Sequence, residues 1–359
     1  MKITFRWFGS KDDTVTLEQI RQIPGMYGIV GALFDIPVGE VWPLKNIKQL
    51  KEEIEAQGLR LDVIESVNVH EDIKLGLPTR EQYIQNYQET LRNLAKVGIK
   101  VVCYNFMPIF DWTRTDLAKP LPDGSTALAY DKNKIEHVDP AQLVEQIERD
   151  AHGFLMPGWE PERLKTIKRL FELYKGVTEE ELFVNLQHFL EQIIPVAEEC
   201  NIRMAIHPDD PPWSVYGLPR IVTNKENLER IINLVDSPSN CLAICSGSLG
   251  ANPNNDIPAI MRHFVAKDRV PFVHVRNVKI EPDGSFAESS HRSSDGSLDM
   301  CEIVKALHDT GFTGFLRPDH GRMIFGEQAR PATAFMIGHL ALCTFSVCGI
   351  HLKKAIRTR

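Results

Sequence analysis

Short apolar runs alternate with longer amphipathic stretches along the whole 359-residue chain. Runs at 3–9 (ITFRWFG), 29–36 (IVGALFDI), 61–69 (LDVIESVNV), 101–108 (VVCYNFMP), 205–211 (AIHPDDP), 241–247 (CLAICSG), 272–278 (FVHVRNV) and 315–321 (FLRPDHG) have the length and composition of buried strands. Helical periodicity covers about 44–58, ending at Gly58, then 79–97, 178–199, 224–235, 256–267 and 299–310. Strands that alternate with helices predict a parallel sheet, because parallel neighbours need a crossover. Eight such units predict a closed (β/α)₈ barrel rather than an open doubly wound sheet. No GxGxxG follows the first strand, and no GxxxxGK[ST] occurs anywhere.

One region breaks the rhythm. The segment 118–160, after the fourth strand, is rich in Pro, Gly and Asp. The chain is therefore read as one barrel domain over 1–359. An insertion of approximately 110–176 is expected on its catalytic face, as a lid or added subdomain.

The composition narrows the partners. Hydrophobic residues make up 43% and charged residues 25%, as in ordinary globular proteins. The net charge of −7 argues against nucleic acid or an anionic membrane surface as partner. Positive charge for an anionic substrate must then be gathered locally. Seven scattered cysteines, no CxxC pair and no apolar signal core at the N-terminus predict a reduced, cytoplasmic chain. Such cysteines serve as small buried hydrophobes or as soft metal ligands.

Four consecutive strands each end in a potential ligand: His207 in AIHPDDP, Cys245 in AICSG, His274 in VHVRN and Asp319 in RPDHG. Barrel chemistry lies at the C-terminal strand ends, so these four are expected on one rim. Two imidazoles, a thiolate and a carboxylate suit one borderline divalent metal rather than Mg²⁺ or Ca²⁺. Each residue alone has a duller reading. A histidine after a strand can be a satisfied framework residue, a cysteine can be core like Cys241, and an aspartate can cap the next helix. Their coincidence on neighbouring strand ends favours a metal site. Arg276, Asn277, Lys279, His291, Arg292 and Arg322 lie nearby in sequence and are candidates to hold a sugar acid. His320, beside Asp319, is a candidate for chemistry.

The segments IHPDDPPWSVYGLPRIV, HVRNVK, SSHRSSDGSLDM and LRPDHGRMIFGE resemble the mannonate dehydratase family of hexuronate catabolism, as do MKITFRWFG and SVNVHEDIKLG. The resemblance covers residues 1 to about 330. It implies a xylose-isomerase-like TIM barrel that depends on Mn²⁺ or Fe²⁺. It also implies conversion of D-mannonate to 2-keto-3-deoxy-D-gluconate with loss of water, as a step of glucuronate degradation. The family's metal ligands fall on His207, Cys245, His274 and Asp319, and its acid–base histidine on His320. A homodimer is the implied assembly.

The resemblance stops at Arg330. The family continues Pro-Gly-Tyr-Gly-x-Tyr-Asp-Arg-Ala, with a proposed catalytic tyrosine. This chain reads PATAFMIGHLALCTFSVCGIHLKKAIRTR and has no tyrosine after Tyr216. Codons exist for Ala332–His339 that, read one base earlier, give Gly-Tyr-Gly-Phe-Tyr-Asp-Arg-Ala. The tail 331–359 is therefore read as the product of a single-base frameshift. Residues 334–350 are apolar almost throughout and are expected to pack as a last helix with no clean polar face. Metal binding is expected to survive and dehydration to be impaired. Two rival readings remain on the same barrel: a metal-dependent sugar isomerase or epimerase, and a non-catalytic metal or sugar-acid binder. A phosphodiesterase acting on abasic DNA would need a three-metal cluster and a basic face, which the net charge of −7 does not favour.

Overall fold

Each of the eight apolar runs overlaps a strand, and the eight strands close on themselves. They are β1 (Lys2–Arg6), β2 (Met26–Gly31), β3 (Arg60–Glu65), β4 (Val101–Tyr104), β7 (Arg203–Ile206), β8 (Asn240–Cys245), β9 (Phe272–Val275) and β12 (Phe315–Pro318). The order β1-β12-β9-β8-β7-β4-β3-β2 is a closed parallel barrel. This computed structural model describes residues 1–136 and 161–327, with Gly338 and Ala341.

The period of two along each strand sorts side chains between two cores. Val30, Val63, Val101, Cys103, Ala205, Ala243, Phe272 and Phe315 meet inside the barrel. Ile29, Ile64, Val102, Met204, Ile206, Leu242, Ile244, Val273 and Leu316 point outward into the layer shared with the helices. With both faces buried, these strands read as continuous apolar runs rather than alternating ones.

The helices are set by their caps and stripes. Thr178 and Glu181 form a capping box at the start of the helix Glu179–Glu199. That helix buries Leu182, Leu186, Phe189, Leu190, Ile193 and Ala197 on one face. The helix Leu44–Glu55 stops before Gly58, whose φ of +76° is the left-handed conformation that ends a helix cheaply only in glycine. A five-residue helix, Leu17–Arg21, follows β1 and was not anticipated from the pattern.

The strands are shorter than the apolar runs suggest. The second spans Met26–Gly31 rather than 29–36, and the third ends at Glu65 rather than at 69. Apolar residues such as Ala32, Val67 and Val69 continue past the ladders because the loops they occupy are themselves buried.

The expected insertion at 110–176 contains β5 (Asp116–Pro120), β6 (Thr126–Tyr130) and the helices Lys132–Glu136 and Pro161–Tyr174. Part of it, 137–160, lies outside the described residues. β5 and β6 do not stand alone. They join β10 (Val278–Ile280) and β11 (Phe286–Glu288), from the loop after β9, in an antiparallel sheet of order β10-β11-β6-β5. Tyr130 stacks on Phe286, with ring centroids 5.2 Å apart, and Trp213 meets both rings edge-on. The tail read as frameshifted, 331–359, lies outside the described residues except for Gly338 and Ala341. A Cβ on Gly338 would fall 2.8 Å from the Phe5 ring and 3.4 Å from Pro318, so this glycine lies against β1 and β12.

Candidate metal centre

The four candidate ligands reach one point because of strand alternation. Ala205, Ala243 and Phe272 face the barrel interior. The residues two positions on, His207, Cys245 and His274, take the same face one layer higher. Phe315 is followed in the same way by Arg317 and then Asp319. The register places Cys245 opposite His274, and His274 opposite Arg317, on three adjacent strands. One ligand atom from each of His207, Cys245, His274 and Asp319 lies within 4.8 Å of the others.

The protonation pattern of this group points to a cation. His207 Nδ1 is 2.7 Å from the carbonyl oxygen of Pro208, which only accepts, so Nδ1 carries the proton and Nε2 presents its lone pair. That Nε2 lies 3.1 Å from His274 Nδ1. Cys245 Sγ lies 3.4 Å from Asp319 Oδ2, which is itself 3.9 Å from His274 Nδ1. Four electron-pair donors crowd one spot, and a divalent transition metal is the species such a donor set fits.

Behind the ligands lies a buried ionic network. Arg317 Nε and Nη2 each lie 3.0 Å from a carboxylate oxygen of Glu65, and Nη1 is 2.9 Å from Asp319 Oδ1. Arg276 Nη1 is 2.7 Å from Asp210 Oδ2 and 3.3 Å from Asp319 Oδ2, and Nε is 3.2 Å from Glu288 Oε2. Arg114 grips Asp210 with both terminal nitrogens, at 3.0 and 3.1 Å, and reaches Glu288 at 2.8 Å. Burial disfavours the charge of Glu65 and of Asp319. Arg317 and His274 beside Glu65, and His320, Arg317 and His274 beside Asp319, outweigh it and hold both carboxyls well below the usual range. The same competition, won by Arg114 and Arg276, keeps Asp210 ionised.

His320 lies over this network. Its Nδ1 is 3.7 Å from Glu288 Oε1 and its Nε2 3.7 Å from Asp319 Oδ1. Trp112, from the insertion, meets its ring edge-on at 5.2 Å. Three buried nitrogens here have no hydrogen-bond partner among the described residues: His274 Nε2, Arg276 Nη2 and His320 Nδ1. Their concentration at one place is what a ligand site requires.

The other expected contacts divide. Arg276 is fully buried within the network, and its Nη2 is one of those partnerless donors. Gly247 lets it pack there, since a Cβ would fall 2.2 Å from Arg276 Nε. His291 Nε2 donates to Val275 O at 3.0 Å, and burial pushes its pKa down to about 4. Asn277 uses its amide on Arg292 O (2.9 Å) and Leu298 N (3.1 Å), fastening the loop that carries His291. Lys279 is exposed on β10. Arg292 is largely exposed beside Asp295. Arg322 pairs with Asp123, 2.6 Å away, beyond β5. The structure therefore brings Arg276, His291 and His320 to the four candidate ligands and leaves Lys279, Arg292 and Arg322 at the margin.

Sequence reading passed over Glu65, Arg114, Asp210, Glu288, Arg317 and Trp112. One signal was available: Arg317 stands two positions from both Phe315 and Asp319, so alternation alone puts its charge inside the barrel.

Comparison with known proteins gives the family of the chain. A family profile described as D-mannonate dehydratase (UxuA) matches residues 1–356. A mannonate dehydratase of Geobacillus thermodenitrificans is 70% identical over 331 residues, 92% of this chain and 89% of that one. The crystal structure of mannonate dehydratase from Streptococcus suis serotype 2 superposes with a TM-score of 0.87 at 45% identity, covering 97% of this chain and 93% of that one. An L-ribulose 3-epimerase structure shares the fold alone, at 11% identity and a TM-score of 0.57, covering 100% of this chain and 98% of that one. With a profile that spans nearly its whole length and a 70% identical relative, the chain belongs to the D-mannonate dehydratase family of hydro-lyases.

Proposed function

We propose that the chain dehydrates D-mannonate to 2-keto-3-deoxy-D-gluconate and water, at one Mn²⁺ or Fe²⁺ held by His207, Cys245, His274 and Asp319. The observation that carries this reading is the 3.1 Å approach of His207 Nε2 to His274 Nδ1 beside a thiol and a carboxylate. A sugar isomerase or epimerase on the same fold is not favoured, because family membership points elsewhere.

The metal supplies Lewis-acid polarisation that makes the C2 proton of an aldonate removable. The protein's residues do the rest. Arg276 offers Nη2 to a substrate oxygen; three carboxylates offset its charge, so it acts as an oriented donor more than as a bare cation. His320 moves a proton through Nε2, the nitrogen nearer Asp319. The C2–H bond breaks and its electron pair forms the C2–C3 double bond. The C3–O bond breaks, and the hydroxyl departs as water once protonated. The enol then takes a proton at C3 and gives the 2-keto acid. Trp112 packs edge-on against the His320 ring and limits its rotation. His291 stands within electrostatic reach of Asp319, Glu288 and Arg276 as a neutral imidazole on the substrate side. Asn277 fastens a rim loop, Arg322 pairs with Asp123, and Lys279 is left exposed on β10.

Dehydration needs a second proton-transfer group, and the tyrosine of the family's C-terminal motif is missing from 331–359. Slow turnover with intact metal binding follows. The assay is formation of 2-keto acid from D-mannonate by metal-free protein, with and without added Mn²⁺. Mn²⁺-dependent product supports the reading, and activity insensitive to chelator sinks it. Metal binding without any product would favour a binding protein. A cytoplasmic homodimer accompanies the reading, and sedimentation of the purified chain checks the dimer.

A further inference from the structure

His274 is unusual among the four ligands because both of its nitrogens face charged or metal-binding groups. Nδ1 faces His207 and Asp319, while Nε2 lies 3.5 Å from Glu65 Oε2 with no hydrogen-bond partner among the described residues. Glu65, Cys103 and His274 also have the spacing of a metal-binding trio. That trio is already neutralised, since Arg317 places Nε and Nη2 on the two oxygens of Glu65, and Arg6 lies 3.7 Å away. A second cation there would meet a fixed guanidinium. Glu65 is thus free to act on the imidazole instead.

An imidazole that ligates through Nδ1 must carry its proton on Nε2, and a carboxylate facing Nε2 selects that tautomer. The same guanidinium holds Asp319 by Oδ1 at 2.9 Å, leaving Oδ2 toward the other ligands. One arginine therefore sets two ligands. It orients Asp319 directly and His274 through Glu65, whose own side chain comes from the far strand β3.

We propose that Glu65 is a positioning residue which fixes His274 as the Nε2–H tautomer, and that Arg317 locks Glu65 and Asp319 into one rigid frame for the metal. This rests on the metal assignment above. Two measurements test it on the full chain. Long-range ¹H–¹⁵N spectra of the ¹⁵N-histidine-labelled full chain loaded with diamagnetic Zn²⁺, which takes the place of the proton between His207 Nε2 and His274 Nδ1, report the tautomer without any substitution at Glu65. The His274 resonances, assigned by their loss in His274→Gln, are expected to show Nε2–H; an Nδ1–H pattern overturns the proposal. Mn²⁺ titration by EPR is then compared among the parent, Glu65→Gln, Glu65→Asp and His207→Ala. Glu65→Gln is expected to bind Mn²⁺ about 10- to 100-fold more weakly. Glu65→Asp, which restores an anionic acceptor, is expected to recover part of the loss. Parental affinity in folded Glu65→Gln, with affinity lost in His207→Ala, overturns the role of Glu65 alone. Parental affinity in both overturns the metal site itself.

Discussion

His207 Nε2 stands 3.1 Å from His274 Nδ1, across the mouth of a barrel in which their strands are separated by β8. Two imidazole nitrogens at that distance need a shared proton or a metal between them. Metal binding to this pair should therefore stabilise the fold. At a free Mn²⁺ concentration of about 100 times Kd, the gain is about 2.7 kcal/mol. Calorimetric melting should show it as a higher Tm in the parent and no shift in His207→Ala. An equal Mn²⁺-induced shift in both proteins would contradict the pairing.

Cys245 makes the site softer than an all-nitrogen-and-oxygen set. Replacing its sulfur with the oxygen of Cys245→Ser should cost Zn²⁺ affinity more than Mn²⁺ affinity, changing their ratio by about tenfold or more. Competition between the two ions, followed by Mn²⁺ EPR, measures the ratio. An unchanged ratio would place the thiolate outside the coordination sphere.

His291 gives the metal-free protein a pH signature. Burial lowers its pKa from 6.5 to about 4, so below pH 6.5 the unfolded chain binds a proton that the folded chain refuses. Stability then falls as the pH drops from about 6.5 toward 4, by at most about 3 kcal/mol. His291→Gln keeps a donor for Val275 O and removes the titration. Urea unfolding across this window should be flatter for the variant than for the parent. Parallel curves would show that His291 titrates normally.

How much of this was legible follows from where the information lies. His207, Cys245, His274 and Asp319 are visible because barrel geometry sends strand ends to one rim, and each strand is a local feature. The frame behind them is not local: Arg317 meets Glu65 across 252 positions, and Arg114 meets Glu288 across 174. No periodicity links such pairs. The small sheet was half legible for the same reason. The insertion announced itself by composition, but its pairing of Ala129 with Ala287 joins segments separated by three strands of the barrel. Asn277 reads from sequence as a substrate contact, yet the structure uses its amide to fasten the loop around Gly296, where a Cβ would fall 2.2 Å from Asn277 Oδ1.

On the frameshift reading, the C-terminal segment is where metal binding and turnover part. Replacing the residues from Ala332 onward with the shifted-frame sequence, which begins Gly-Tyr-Gly-Phe-Tyr-Asp-Arg-Ala, restores the missing tyrosine. A positioned proton-transfer group contributes about 10²- to 10⁴-fold. The repaired chain should gain kcat by a factor in that range while its Mn²⁺ affinity stays the same. Equal kcat in the two chains would show that the tail does not limit the reaction.

The central claim is one catalytic metal held by four named side chains. EPR titration of the metal-free full chain with Mn²⁺ tests it most directly, alongside His207→Ala, Cys245→Ala, His274→Ala and Asp319→Ala. The account predicts one tight Mn²⁺ per chain in the parent and a large loss of affinity in each variant. Tight one-to-one binding that survives all four substitutions would contradict it.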